Sequence, residues 1–253
     1  MRTPLFIANW KMYKTVHEAA AFAREFSTLV RDLEGVQLVL APPFTAIAAV
    51  ADVTRNTSIG VAAQDTYFEK EGAFTGEVSA PMIRDAGAEF VIIGHSERRR
   101  LFGDTDVIVN RKLRAALAAG LGPIVCIGET IEERERNETM TVLDRQISDG
   151  FEGVTPDAIA GVVIAYEQVW AIGTGRNATP AEAADAHAHI RNRLRQWFSA
   201  DVAARGRIVY GGSVKPDNAR SLVSLPDVDG ALVGGASLEV GSFAAIVKSA
   251  LRE

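Results

Sequence analysis

Glu167 is the side chain in this sequence whose neighbours best suit it to act as a base. It follows the apolar run Gly161-Val162-Val163-Ile164-Ala165-Tyr166, which reads as a strand buried on both faces. It precedes Gly173-Thr174-Gly175, where paired glycines free the backbone to turn bare N–H groups toward an anion. A carboxylate that takes a proton from carbon needs a raised pKa and little water around it. The apolar neighbours Tyr166, Val169, Trp170 and Ile172 could supply both, so a raised pKa is expected for Glu167. The bland reading is a solvated glutamate at a loop start, and only the other strand ends can decide between the two.

Three more side chains fit the same chemistry. His95 follows Phe90-Val91-Ile92-Ile93-Gly94 and precedes the helical turn Ser96-Glu97-Arg98-Arg99-Arg100. The positive end of a helix disfavours imidazolium, so a neutral ring there could donate a hydrogen bond to a carbonyl oxygen; the bland alternative is a histidine that caps a turn. Lys11 stands two residues beyond Asn9, a spacing that on an extended strand aims both side chains the same way. An ammonium there could attract an anionic substrate and stabilise charge on oxygen, with Asn9 orienting it. Glu97 could pair with Lys11, or serve only as a first-turn carboxylate favoured by the helix dipole.

Three glycine-rich turns complete the set: Gly173-Thr174-Gly175, Gly211-Gly212-Ser213 and Gly234-Gly235-Ala236-Ser237. Together, at the ends of the sixth, seventh and eighth strands, these turns could direct backbone N–H groups and the Ser213 hydroxyl at one phosphate. Neither Gly-x-Gly-x-x-Gly nor a Walker lysine motif occurs, which points to a small phosphate ester and away from a dinucleotide or nucleoside triphosphate. His17, His187 and His189 fall on helical stretches and read as surface residues, and no histidine pair has metal-ligand company after the strands, so no metal site is expected. Cys126, inside Ile124-Val125-Cys126-Ile127, reads as a small buried hydrophobe.

Such residues need a scaffold that gathers strand ends. Strand-like runs recur at Leu5 to Ala8, Val36 to Ala41, Ile59 to Ala63, Phe90 to Gly94, Pro123 to Ile127, Gly161 to Tyr166, Arg207 to Tyr210 and Gly230 to Val233. Between them lie segments with helical spacing, such as Glu18-Phe22-Phe26-Leu29-Leu33 and Val107-Leu113-Leu117. Eight strand–helix alternations fit a (β/α)8 barrel, whose active site lies at the strand C-termini; a doubly wound open sheet is the alternative. Pro42-Pro43 reads as a turn that starts a helix.

Composition narrows the function classes. With 253 residues, 47% hydrophobic and 23% charged, the chain can bury a full core as one domain, 1–253. A net charge of −5 argues against a nucleic-acid binder. The single cysteine precludes an intramolecular disulfide and suits a reducing compartment, no leader motif opens the sequence, and no apolar run approaches the ~20 residues of a membrane helix. A cytoplasmic protein is expected. One connection is unusually long: Gln64 to Val78 carries Tyr67, Phe68 and Phe74, aromatic surface that a second copy of the chain would cover.

Taken in order, these motifs make the chain resemble the triosephosphate isomerase family along essentially its whole length. Asn9-Trp10-Lys11 is similar to the family's opening segment, Gly94-His95-Ser96-Glu97-Arg98-Arg99 to its electrophile segment, and Ala165 to Gly175 to its base and lid. Tyr210-Gly211-Gly212-Ser213-Val214 and Leu232-Val233-Gly234-Gly235-Ala236-Ser237-Leu238 resemble its phosphate turns. The resemblance implies a single-domain (β/α)8 TIM barrel with eight parallel strands, a lid loop at 168–178 and a dimer loop at 64–78. It implies interconversion of dihydroxyacetone phosphate and D-glyceraldehyde 3-phosphate through an enediolate, in glycolysis and gluconeogenesis, without a cofactor. It further implies a homodimer in which Thr75 braces Asn9 and Lys11 of the partner subunit. Two positions depart from the family pattern: Gln168 stands where the first lid hinge usually has proline, and Arg176 where the second usually has lysine. Glutamine restores backbone freedom, so altered lid kinetics with unchanged chemistry are expected. The competing readings are a sugar-phosphate epimerase or aldolase barrel, whose metal ligands or Schiff-base lysine are not evident, and a barrel kept only for binding.

Overall fold

The computed structural model describes residues 2–169 and 179–251. Its parallel strands are β1 (Leu5–Asn9), β2 (Gln37–Ala41), β3 (Ile59–Ala63), β4 (Phe90–Ile93), β5 (Gly122–Ile127), β6 (Val163–Tyr166), β7 (Arg207–Tyr210) and β8 (Gly230–Val233). They close in sequence order, with β1 pairing β2 in the register Leu5↔Gln37 and β8 in the register Leu5↔Gly230. Pairing on both sides of β1 rules out the open-sheet alternative. Observed strand bounds differ from the expected ones by at most two residues at an end, because a parallel strand buried on both faces is marked by its whole apolar run.

Helices occupy the crossovers: α1 (Val16–Val30), α2 (Ile47–Thr54), α3 (Ala80–Asp85), α4 (Ser96–Phe102), α5 (Asp106–Ala118), α6 (Ile131–Glu135), α7 (Thr139–Gly150), α8 (Pro156–Ile159), α9 (Pro180–Trp197), α10 (Ala200–Arg205), α11 (Ala219–Val223) and α12 (Val240–Leu251). Local chemistry sets their starts. Thr15 with Glu18, and Thr179 with Glu182 behind Pro180, form capping boxes for α1 and α9. On α1 the residues Ala19, Phe22, Ala23, Phe26 and Val30 are buried, the spacing of one helical face. Pro42 and Pro43 precede a single 3-10 turn, Phe44–Ala46, which runs into α2.

Strand alternation divides the core in two. Phe6, Ala8, Leu38 and Leu40 face the helices, whereas Leu5, Ile7, Val39, Ala62, Ile92, Ile124, Cys126, Val163, Ala165, Val209 and Leu232 fill the barrel. Carrying the inward two-residue step one further along seven strands reaches Asn9, Gln64, Gly94, Gly128, Glu167, Gly211 and Gly234. The layer at the C-terminal mouth is thus three polar side chains among four glycines. Side-chain volume has been removed where a ligand could enter.

The expectation for His187 is corrected here: it is fully buried on the inner face of α9, with its ring near those of Tyr166 and Tyr210. His17 is exposed and His189 half-buried against Asp144. The 64–78 segment is tied at its base by Tyr67 N–H donating to the Val78 carbonyl. Tyr67 stacks on Phe68 and touches Phe74, which remains 40% exposed.

Candidate active site

Glu167 leaves β6 into the mouth and is only 2% exposed. Its position is fixed by the strands beside it. Glu167 N–H donates to the Ile127 carbonyl (2.8 Å), and Gly211 N–H donates to the Tyr166 carbonyl (2.7 Å). A Cβ at Gly128 would lie 1.8 Å from the Glu167 carbonyl oxygen, and one at Gly211 would lie 2.9 Å from Glu167 Cγ. Both flanking strands need a bare backbone to admit this residue.

The carboxylate rests against α4. Ser96 N–H donates to Oε2 at 2.8 Å, the Ser96 hydroxyl lies 3.4 Å from Oε1, and His95 Nε2 lies 2.9 Å from Oε1. His95 is the N-cap of α4, and its Nδ1 accepts from Glu97 N–H at 3.2 Å. A backbone N–H can only donate, so Nδ1 carries a lone pair and the ring is the neutral tautomer with its proton on Nε2. That proton points at Glu167.

The expected raised pKa for Glu167 is not what this arrangement gives. Burial pushes the carboxyl up, but the His95 ring, the Ser96 N–H and Lys11 together outweigh it and hold Glu167 below the usual carboxylate range. The sequence shows the apolar neighbours of Glu167 but not the donors that α4 turns toward it. Burial likewise pushes His95 down, and the nearby Glu167 charge more than reverses this. The Glu167 shift keeps the carboxylate ionised, whereas the rise at His95 works toward imidazolium; the Glu97 N–H, which only a lone pair on Nδ1 can accept, is what holds the ring neutral.

Lys11 does not continue the strand as its spacing suggested. β1 ends at Asn9, and Lys11 has φ +52, a left-handed conformation unusual for a residue with a side chain. Asn9 Oδ1 accepts from the Lys11 backbone N–H (3.0 Å), and Gln64 Nε2 donates to the Lys11 carbonyl (2.8 Å). Asn9 therefore orients the Lys11 backbone, where orientation of the ammonium was expected. The ammonium donates to Glu97 Oε1 at 2.7 Å, the pairing expected from the sequence. A Cβ at Gly234 would sit 3.3 Å from Lys11 Cε, so the lysine stem runs beside the β8 turn.

Asn9, Lys11, His95, Glu97 and Glu167 thus converge from the ends of β1, β4 and β6. Ser213 lies half-buried in the turn after β7, its carbonyl held by Asn218 Nδ2 (3.1 Å), and Gly235 opens a 3-10 turn after β8 with nothing within 4 Å of where a Cβ would be. Gly173 and Arg176, with the lid residues 170–178, lie outside the described residues. Cys126 is fully buried, and burial lifts its thiol far above the usual range, as suits an inert hydrophobe. Among the described residues no cluster of three or more His, Cys, Asp or Glu side chains could hold a metal ion.

Ser96, Gln64 and Gly128 were not singled out from the sequence. Ser96 could have been: a serine directly after a helix-capping histidine offers the first free N–H of that helix. Gly128 left only the weak mark of a glycine just past a strand.

A closed parallel barrel with a buried carboxylate, a neutral imidazole and an ammonium at its strand C-termini, beside glycine-rich turns, defines an acid–base enzyme acting on a small anionic substrate. The family model described as triosephosphate isomerase matches residues 4–250, and the chain belongs to that family. It is 53% identical over 247 residues to the triosephosphate isomerase of Pelobacter propionicus, with 98% of each chain covered. It is 51% identical over 251 residues to that of Carboxydothermus hydrogenoformans, covering 99% of this chain and 100% of the relative. Among solved structures, triosephosphate isomerase from Bartonella henselae superposes with a TM-score of 0.89 at 37% identity, covering 99% of this chain and all of the other.

Proposed function

We infer that this chain interconverts dihydroxyacetone phosphate and D-glyceraldehyde 3-phosphate, in glycolysis and gluconeogenesis. The observation that carries the reading is the convergence of Glu167, His95 and Lys11 in one buried mouth. Glu167 takes a proton from the carbon next to the carbonyl and returns it to the neighbouring carbon, through an enediolate. His95, neutral with its proton on Nε2, donates to the enediolate oxygens, and Lys11 offsets their charge. Glu97 holds the Lys11 ammonium, and Asn9 holds the lysine backbone. The bonds that lower the Glu167 pKa at rest must be given up as the carboxylate turns from Ser96 to substrate, which leaves it a stronger base in a dry site.

The phosphate is bound by Ser213 and the N–H groups of Gly234 and Gly235, with Gly173 joining from the lid. The lid at 168–178 excludes water, which would otherwise let the enediolate expel its phosphate. A coupled isomerase assay tests the assignment, with Glu167→Ala as the control; a wild type no faster than the variant would sink it.

We also propose that residues 1–253 act as one barrel domain in a cytoplasmic homodimer. Supporting the dimer, Met12 (93% exposed), Phe74, Met82, Leu101 and Phe102 put large apolar side chains on the surface, Phe74 within the 64–78 loop and Met82 beside it. Thr75, exposed within that loop, then reaches Asn9 and Lys11 of the partner subunit. Thr75→Arg should shift the mass in solution from two chains to one and lower activity; an unchanged dimer with full activity would remove this placement of Thr75.

A further inference from the structure

The peptide that precedes Glu167 is held by strand pairing on both sides, whereas the residue that follows it has left the sheet. That residue, Gln168, is nevertheless fully buried. Its Oε1 accepts from Tyr210 Oη at 3.0 Å. Among the described residues its Nε2 has no hydrogen-bond partner, and the amide also lies close enough to the Tyr166 hydroxyl to offset part of the rise that burial gives that group. Tyr210 is the last residue of β7, directly before Gly211-Gly212-Ser213. Burial pushes its hydroxyl up to about 12, so it stays protonated and acts as the donor. The hydroxyl also lies under the turn: a Cβ at Gly212 would sit 2.2 Å from Tyr210 Oη.

One buried hydroxyl therefore touches both the residue after the base and the turn that carries Ser213. We propose that Gln168 is a positioning residue for the isomerisation: through Tyr210 it clamps the exit of the Glu167 strand to the Gly211–Ser213 turn, fixing the distance between base and phosphate grip. The proposal rests on the reading of Glu167 as base and Ser213 as phosphate ligand. It gives the substitution at 168 a task on the chemistry side of the hinge, beyond the looser lid expected from sequence. Where strand pairing ends, a side-chain amide takes over the work of the next ladder hydrogen bond.

The test uses Gln168→Met, which keeps the volume and loses the acceptor, Tyr210→Phe, which removes only one oxygen, and the double variant. For each, kcat and KM are measured together with competitive inhibition by inorganic phosphate, which reads the phosphate grip alone. Each single variant should lower kcat about fivefold, the kinetic equivalent of one hydrogen bond of about 1 kcal/mol, and the double variant no further. Phosphate inhibition should stay unchanged, because each half of the site remains intact and only their mutual alignment relaxes. Unchanged kcat in Tyr210→Phe, losses that multiply in the double variant, or phosphate inhibition that weakens in step with kcat would each overturn the proposal. Glu167→Ala in the same series separates the two readings. If it retains wild-type turnover, the base assignment fails; if it is inactive while Gln168→Met and Tyr210→Phe match wild type, only the clamp fails.

Discussion

The two halves of the barrel mouth are built on different principles. At the ends of β1, β4 and β6, every functional group is a side chain held by other side chains or by a helix end: Lys11 on Glu97, Glu97 N–H on His95, His95 and Ser96 on Glu167. On the side of β7 and β8, the site is mostly bare backbone in the turns at Gly211-Gly212-Ser213 and Gly234-Gly235. In the function proposed above, the first half handles charge that changes during the reaction, so it needs groups with tunable protonation, fixed in advance. The second, in the same proposal, handles a charge that does not change, for which fixed N–H dipoles suffice. Changes in the first half should therefore strike kcat, and changes in the second should strike KM.

The largest expected effect is in the first half. Glu167→Gln keeps the shape and one of the two acceptor oxygens but cannot accept the proton, and kcat should fall about a thousandfold or more with KM nearly unchanged. A comparable rise in KM would mean that Glu167 binds substrate and does no proton transfer.

Behind the second half, the pH dependence of folding gives the next effect. Burial lowers His187 to about 4 from the 6.5 of a free imidazole, so between these values the unfolded chain takes up a proton that the folded one refuses. Stability should fall as the pH drops from 6.5 to about 4 and level off below, a loss of at most about 3 kcal/mol. Urea unfolding of wild type and His187→Asn at one protein concentration measures it: the two curves should converge toward low pH. Parallel curves would show that His187 carries none of the pH dependence.

Gly128→Ala sharpens the comparison from the side of position. The added methyl meets the Glu167 carbonyl at 1.8 Å, so the backbone under the base must move. A shift on the order of 1 Å should cost about a hundredfold in kcat while phosphate inhibition holds. Ser213→Ala is the smallest change and lies in the other half. The loss of one hydrogen bond to a charged phosphate should raise KM about tenfold and leave kcat within about twofold. Should kcat fall instead, the division of labour between the halves is wrong.

The contrast also explains what the sequence made legible. The strands stood out because burial on both faces leaves an unbroken apolar run, and eight such runs led to the closed barrel that β8 completes by pairing with β1. Asn9, Lys11, His95, Glu97 and Glu167 stood out because they are polar residues just past strands. What failed was orientation and environment. The period of two did not extend to Lys11, because the chain turns left-handed there. The pKa of Glu167 depends on donors that arrive from α4, 71 residues away at Ser96. His187 lay on a helix whose buried face could not be told apart, since His at that spacing suits either side. Glycines that matter by absence, such as Gly128, reveal their role only when the neighbouring strand is in place.

The central claim is that isomerisation proceeds by proton transfer through Glu167, and running the reaction in D2O tests it most directly. A proton carried by a carboxylate exchanges with solvent, so proton NMR of glyceraldehyde 3-phosphate formed from dihydroxyacetone phosphate should show deuterium at C2. Product that keeps all of the substrate hydrogen at C2, with no deuterium, would mean direct hydride transfer between the carbons and would contradict the account.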